Sequence, residues 1–143
     1  MNKVDKREWY EILWDWYEEA LERGCYFEAV WFLYSILDDR AKSALRHGGS
    51  KPRKVMMLGT KLEKLKSLVK THAEYRGAFY DPDLFNKIND WIKKRNALMH
   101  HLADMPMKQS DLKKEIYLLA LNGKEPVKTF SSAVMRLKKR QKA

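Results

Sequence analysis

The chain has 143 residues, 45% of them hydrophobic and 12% aromatic, with few Gly and Pro, and this composition suits one folded domain with a substantial core. A lone Cys25 excludes an internal disulfide and a zinc site built on cysteines. No apolar run approaches the length of a membrane span, and the charged first residues lack the apolar core of a signal peptide. We therefore expect a soluble, cytoplasmic protein with no membrane partner.

The formal net charge of +10 is distributed unevenly along the chain. Residues 1–47 carry a net charge of −3, residues 48–82 carry +5, and residues 83–143 carry +8. A positive field of this kind favours polyanions and speeds their encounter with the protein. The charge distribution therefore makes RNA a candidate partner, although the same excess could serve solubility alone.

Apolar residues recur at three- and four-residue intervals along the chain, which predicts helices, and no strand-like alternation appears. The helices are expected at about residues 6–22, 25–46, 52–70, 84–102, 110–121 and 126–137. Asp5 is the expected cap of the first helix and Gly24 its expected end, whereas residues 71–80 form a connection. With no repeat and no linker, residues 1–143 are predicted to be a single-domain, all-α bundle of about five to six helices, with a basic C-terminal tail from Arg136.

The first two helices have apolar stripes that include aromatic residues. Trp9 and Trp16 share the stripe of the first helix, and Phe27 and Trp31 share that of the second. Most of the five tryptophans are therefore expected on core-facing positions. This expectation counts against an exposed aromatic surface on which nucleic-acid bases would stack.

The segment 84–102, LFNKINDWIKKRNALMHHL, contains the most informative polar residues. Asp81 is the expected cap of this helix. Arg95 falls where the apolar stripe would otherwise carry a Leu or Ile, so its guanidinium needs a partner or an opening. Asn96 and His100 lie four residues apart and share one face. A cation, an amide and an imidazole therefore converge on the last two turns of one helix.

The string Arg95-Asn96-Ala97-Leu98-Met99-His100 resembles the R-x(4–6)-H motif of HEPN domains, including the polar residue that usually follows the arginine. The preceding segment 58–68, LGTKLEKLKSL, is similar to the region that HEPN domains carry before the motif helix, and the resemblance covers about residues 25–102. HEPN domains are small all-α bundles of prokaryotic toxins, phage-defence systems and CRISPR-associated nucleases. Many are metal-independent endoribonucleases whose active site forms at a two-fold dimer interface.

The resemblance implies a HEPN-like fold and an endoribonuclease with Arg95, Asn96 and His100 as catalytic residues. The imidazole would act as acid and base and the guanidinium would bind phosphate, with neither a cofactor nor a metal. RNA would be the substrate, the protein would be a homodimer, and a toxin or phage-defence role would bring a cognate antitoxin as a further partner. His101 also satisfies the spacing and is the alternative catalytic imidazole. Leu102 stands where one branch of the family has a modified tyrosine, so that feature does not carry over.

Other interpretations of the same residues remain open at this point. Arg40 and His47 also fit the spacing of the motif. Arg95 could instead pair with Asp38 or Asp39 in a purely structural role. The chain could also be a catalytically inactive helical RNA-binding or adaptor module, or a partner in a toxin–antitoxin pair.

Overall fold

A computed structural model describes residues 5–52, 56–104 and 108–140, and within these ranges the regular secondary structure is helical, with no strand. The helices are, in chain order, α1 (Lys6–Glu22), α2 (Tyr26–His47), α3 (Leu58–Thr71), α4 (Ala73–Ala78), α5 (Leu84–Asp104), α6 (Gln109–Asn122) and α7 (Lys124–Arg140). Six of these are long, and α4 has only six residues. The predicted all-α fold class is confirmed.

The boundaries of α1 are those that the sequence predicts. The carboxylate of Asp5 accepts a hydrogen bond from the backbone N–H of Arg7 at 3.4 Å. At the other end Gly24 has a φ of 73°, and the N–H of Cys25 donates to the carbonyl of Ala20 at 2.8 Å. Glycine suits this position because a left-handed residue is needed to close the helix.

Two segments differ from the prediction. The third helix begins at Leu58 instead of near Pro52. The segment 71–80, predicted as a connection, contains the short helix α4. Tyr75 of α4 is buried, and its hydroxyl donates to the carbonyl of Ala44 at 2.7 Å. Such tertiary contacts stabilise a helix that is too short to form alone, which periodicity along the sequence does not reveal.

The entry into α5 is organised by Asp81. Its carboxylate accepts a hydrogen bond from the N–H of Asp83 at 3.0 Å, and its carbonyl accepts from the N–H of Leu84 at 3.3 Å. The predicted cap therefore stabilises the turn that leads into the helix. The predicted end of this helix, at residues 105–107, lies outside the described residues.

The described chain forms two compact units. The first unit lies within Met1–Ile36 and Trp91–Lys124, and the second within Leu37–Asp90 and Glu125–Ala143. Helices α2 and α5 contribute residues to both units. The first unit buries Tyr17, Val30, Leu33, Ile36, Trp91, Leu98, Leu119 and Ala120. The second unit buries Leu37, Leu45, Leu62, Leu65, Leu84, Ile88, Phe130 and Leu137. That the chain is a single domain stays a prediction.

The predicted core position of most tryptophans is wrong. The aromatic residues expected in the apolar stripes of α1 and α2 include Trp9, Trp16, Phe27 and Trp31, and all four are exposed, whereas Trp91 is the one buried tryptophan of the five. The buried side of α1 is centred on Tyr17 and Ala20. The apolar stripe of α1 is wider than the face that packs, so Trp9 and Trp16 lie on its exposed flank.

The start of the predicted basic tail belongs to a packed helix in the second unit. Arg136 donates through Nε and Nη2 to the carbonyl of Ala78, at 3.1 and 2.9 Å, and its guanidinium lies 4.6 Å from the centroid of the Tyr80 ring. The next residue, Leu137, is fully buried. The tail that we expected from Arg136 therefore starts inside α7.

Across the described residues, no helix has the length and apolar content that crossing a membrane would require.

Candidate functional site

The predicted site residues lie on the part of α5 that belongs to the first unit. This part is anchored by Trp91, which is buried and donates through Nε1 to the carbonyl of Leu119 at 2.9 Å. Leu119 lies in the last turn of α6, where helix carbonyls lack an intrahelical partner. Leu98 is also buried, one turn before His101. The helix that carries the motif is therefore held by both an apolar contact surface and a specific hydrogen bond.

Arg95 has a defined environment. Its guanidinium carbon lies 4.1 Å from the centroid of the Tyr34 ring, in the position of a cation–π contact. Its Nη1 donates to the side-chain oxygen of Asn96 at 3.0 Å. Its Nε is buried and has no hydrogen-bond partner among the described residues. The aromatic ring of Tyr34 thus provides the partner that the position of Arg95 in the apolar stripe requires.

The structure brings Arg95 and Asn96 into direct contact, and it leaves Asn96 and His100 exposed on neighbouring turns of α5. His101 is exposed as well, about 100° further around the helix. No hydrogen bond joins His100 or His101 to another of the residues that the structure describes. The guanidinium is therefore held in place from within the first unit, whereas both imidazoles face outward.

The second pair that fits the R-x(4–6)-H motif, Arg40 and His47, is engaged in other contacts. In the second unit, Arg40 is buried and its Nη2 lies 2.7 Å from a carboxylate oxygen of Asp39. The side chain of His47 is almost fully buried, and its Nε2 lies 2.9 Å from Oε1 of Glu74. These contacts favour a structural role for Arg40 and His47.

The two carboxylates suggested as partners of Arg95 have cationic partners of their own within the second unit. The carboxylate of Asp38 accepts a hydrogen bond from Nζ of the buried Lys61 at 2.6 Å. Asp39 accepts from Arg40. Arg95 forms no ion pair within the described ranges, so its charge is left to Tyr34, Asn96 and any ligand that approaches.

Tyr34 is the residue of the site that sequence reasoning missed. The apolar pattern of α2 assigns it to the core, and it is in fact half-buried beneath the guanidinium of Arg95. A single sequence contains no pattern that pairs an aromatic residue with a cation 61 positions later.

Within the described part of the chain, no group of three His, Cys, Asp or Glu side chains is arranged to hold a metal ion. No protein-family model matches the chain, and neither a curated protein nor a solved structure matches it.

Proposed function

We propose that the protein is a metal-independent endoribonuclease of the HEPN type, with Arg95, Asn96 and His100 as its catalytic residues. The observation that carries the proposal is the environment of Arg95. Its guanidinium is held over Tyr34 and hydrogen-bonded to Asn96, it forms no ion pair among the described residues, and it precedes the exposed imidazole of His100 by five residues. The guanidinium is therefore held in place with its charge not neutralised, so it can bind a phosphate.

The chemistry requires no group beyond these side chains. The 2′-oxygen of a ribose attacks the adjacent phosphorus, the bond from phosphorus to the 5′-oxygen breaks, and the products are a 2′,3′-cyclic phosphate and a 5′-hydroxyl. His100 can accept the proton of the 2′-hydroxyl or protonate the leaving 5′-oxygen, because an imidazole has both forms available near neutral pH. Arg95 can grip two phosphate oxygens and stays charged throughout. Asn96 can donate to a phosphate oxygen while it orients the guanidinium.

A two-fold homodimer would supply both an acid and a base. One chain offers His100 once, whereas proton removal and proton donation on opposite sides of the phosphorus are served best by two imidazoles. Outward-facing His100 and His101 are compatible with a partner copy of α5 across a two-fold axis. We further propose a cytoplasmic toxin or phage-defence effector with RNA as its substrate and a cognate antitoxin as a partner.

The decisive experiment incubates the purified protein with single-stranded RNA in EDTA and analyses the RNA ends. We expect 2′,3′-cyclic phosphate ends, and we expect His100→Ala to lower the rate by about 10²–10⁴-fold. Arg95→Ala lowers the rate comparably, and Arg95→Lys does not restore it because a point charge cannot replace the guanidinium fork. Lys94→Ala is the matched control for a neighbouring exposed cation, and His72→Ala for an exposed imidazole outside the site.

Three outcomes would contradict the proposal. Cleavage that requires added Mg²⁺ would contradict the mechanism. Loss of cleavage in His101→Ala with full activity in His100→Ala would move the catalytic role to the second imidazole. Light scattering that finds only monomers at micromolar concentrations would remove the composite site.

A catalytically inactive helical RNA-binding or adaptor module is the second candidate. The net charge of +13 over residues 48–143 favours it, because a positive field attracts the phosphates of RNA. In that case RNA would bind without being cleaved, and the logarithm of its affinity would fall linearly with the logarithm of the salt concentration. Affinity that does not change with salt would exclude a phosphate-based interface.

A further inference from the structure

A row of aromatic rings crosses α1 and α2 in the first unit, and all of them except the half-buried Phe32 are exposed. The ring centroids of Trp9 and Trp16 are 5.6 Å apart, those of Trp16 and Phe32 5.9 Å, and those of Phe32 and Trp31 6.3 Å. Phe27 lies one turn before Trp31 on the same face of α2. Trp9, Trp16 and Trp31 are 45%, 43% and 64% exposed. We name these five residues the aromatic patch; contiguous apolar surface of this kind marks an interaction site on many proteins.

The surroundings of the aromatic patch are acidic. Glu8, Asp15 and Glu19 recur at helical spacing along one side of the patch, and all three are exposed. Glu19 pairs with Arg23 at 2.6 Å, whereas Glu8 and Asp15 form no ion pair with another described residue. Residues 5–36 contain eight acidic and three basic side chains, a net charge of −5 in a chain whose overall charge is +10. The exposed carboxylates of Glu8 and Asp15 repel phosphates and attract cations along this side of the patch.

The size of the aromatic patch indicates what it can hold. If each aromatic side chain has about 200 Å² of surface, the exposed surface of the aromatic patch is about 400 Å². A stable interface between two folded proteins buries about 800 Å² on each partner. The patch therefore suits a short segment better than a second folded surface.

The carboxylates beside the aromatic patch exclude two plausible occupants, single-stranded RNA and the same face of a second copy. Single-stranded RNA would bring its phosphates against exposed carboxylates, which opposes binding. The same face of a second copy would bring like charges together. A basic face of a second copy would make a head-to-tail contact, which builds a ring or an open chain and not the two-fold homodimer proposed above.

We propose that the aromatic patch binds a cationic, apolar segment of a partner protein. Lys or Arg side chains of the segment lie over the indole rings, in the geometry of cation–π contacts, and apolar side chains fill the space between the rings. Glu8 and Asp15 neutralise the charge of the segment and favour it over an acidic one. The patch contains none of Arg95, Asn96 and His100, so His100→Ala retains peptide binding.

The test uses the full chain and a fluorescein-labelled peptide that alternates arginine and leucine, followed by fluorescence anisotropy. We expect saturable binding that Trp31→Ala weakens by about tenfold or more, as truncation of a central aromatic contact does. Trp9→Ala gives an independent loss of affinity, and the double variant Glu8→Gln, Asp15→Asn gives a few-fold loss that disappears at high salt. Tyr80→Ala, an exposed aromatic residue of the second unit, is the matched control and leaves the affinity unchanged.

Each contrary result overturns the proposal. Absence of peptide binding, or equal binding by Trp31→Ala, removes the patch as a peptide site. A uridine oligonucleotide that binds the wild type and loses its affinity in Trp31→Ala would assign the patch to base stacking. A loss of oligomer mass in Trp31→Ala by light scattering would assign it to a second copy. Unchanged circular dichroism of both tryptophan variants, whose side chains lie at the surface, shows that the fold is intact.

Discussion

The guanidinium of Arg95 lies over the ring of Tyr34, with 4.1 Å between its central carbon and the ring centroid. The contact joins α5 to α2 inside the first unit. It solves a problem that the sequence poses, because a cation in an apolar stripe needs a partner that does not neutralise it. A carboxylate would have neutralised Arg95, whereas an aromatic ring leaves its full charge for an anion.

The first prediction concerns Tyr34 as a positioning residue. Tyr34→Phe keeps the aromatic face, and we expect RNA cleavage close to that of the wild type. Tyr34→Leu removes the ring, and we expect about a fivefold loss in kcat/KM, which corresponds to an exposed cation–π contact of about 1 kcal/mol. The pH profile of cleavage stays unchanged in both variants, because proton transfer belongs to His100. Equal losses in Phe and Leu variants would contradict a role for the ring.

The second prediction concerns the ion pair between Lys61 and Asp38 in the second unit. The side chain of Lys61 is buried and that of Asp38 is half-exposed. Asp38→Asn leaves a buried ammonium without its counter-charge, and we expect a loss of about 1–3 kcal/mol in the free energy of unfolding. Lys61→Met removes the buried charge itself, so its cost is smaller. Urea denaturation of the two variants measures the difference, and a larger loss in Lys61→Met would contradict this assignment.

The third prediction concerns Gly123, which lies between α6 and α7. A Cβ atom at this position would approach Nε1 of Trp91 to 2.5 Å and Cδ1 of Leu33 to 2.7 Å. Gly123→Ala therefore pushes apart two buried side chains, and we expect about 1–3 kcal/mol of destabilisation. Gly59 in α3 is the matched control, since nothing lies within 4 Å of its Cβ position. Gly59→Ala leaves the melting temperature unchanged or raises it, because alanine favours a helix.

The fourth prediction concerns alkaline pH. Burial raises the pKa of Tyr17 well above its ordinary value of about 10, and the neighbouring Glu18 acts in the same direction. The buried hydroxyl donates to the carbonyl of Ala120 at 2.6 Å. Because the folded state holds the proton more tightly than the unfolded state, the stabilisation is complete below pH 10 and is lost as pH rises further.

The test of this pH dependence compares the wild type with Tyr17→Phe. At neutral pH the variant loses about 1 kcal/mol with the hydrogen bond. Between about pH 10 and 12 the wild type loses stability faster than the variant, so the two unfolding free energies converge. Curves that remain parallel across this interval would show that Tyr17 does not titrate with unfolding.

Sequence periodicity predicts the helices well and the packed face of each helix poorly. Asp5 and Gly24 bound α1 as expected because caps and left-handed glycines act locally. An apolar stripe shows which side of a helix is hydrophobic, but it does not show which part of that side packs against another helix. The predicted core positions of Trp9 and Trp16 are wrong for this reason. The helix α4 was missed because its stability comes from the distant contact of Tyr75 with Ala44.

In the candidate site, too, the sequence predicts residues that are close together along the chain but not contacts between different helices. Arg95, Asn96 and His100 are identifiable because they belong to one continuous string on one helix. Tyr34 and the engagement of His47 by Glu74 depend on which helices meet, and a single sequence does not contain that information. The catalytic role of the string stays a prediction until cleavage is measured.

The interleaving of the two units has a consequence for how the chain is made. The first unit lies within Met1–Ile36 and Trp91–Lys124, and most of the second lies between these segments. On a ribosome the first segment of the first unit emerges early and must wait for residues 91–124 before it can bury Tyr17 and Leu33. During this interval its aromatic side chains are exposed, which invites aggregation or chaperone binding. A single cut cannot release either unit whole, because each unit is built from two separate stretches of the chain.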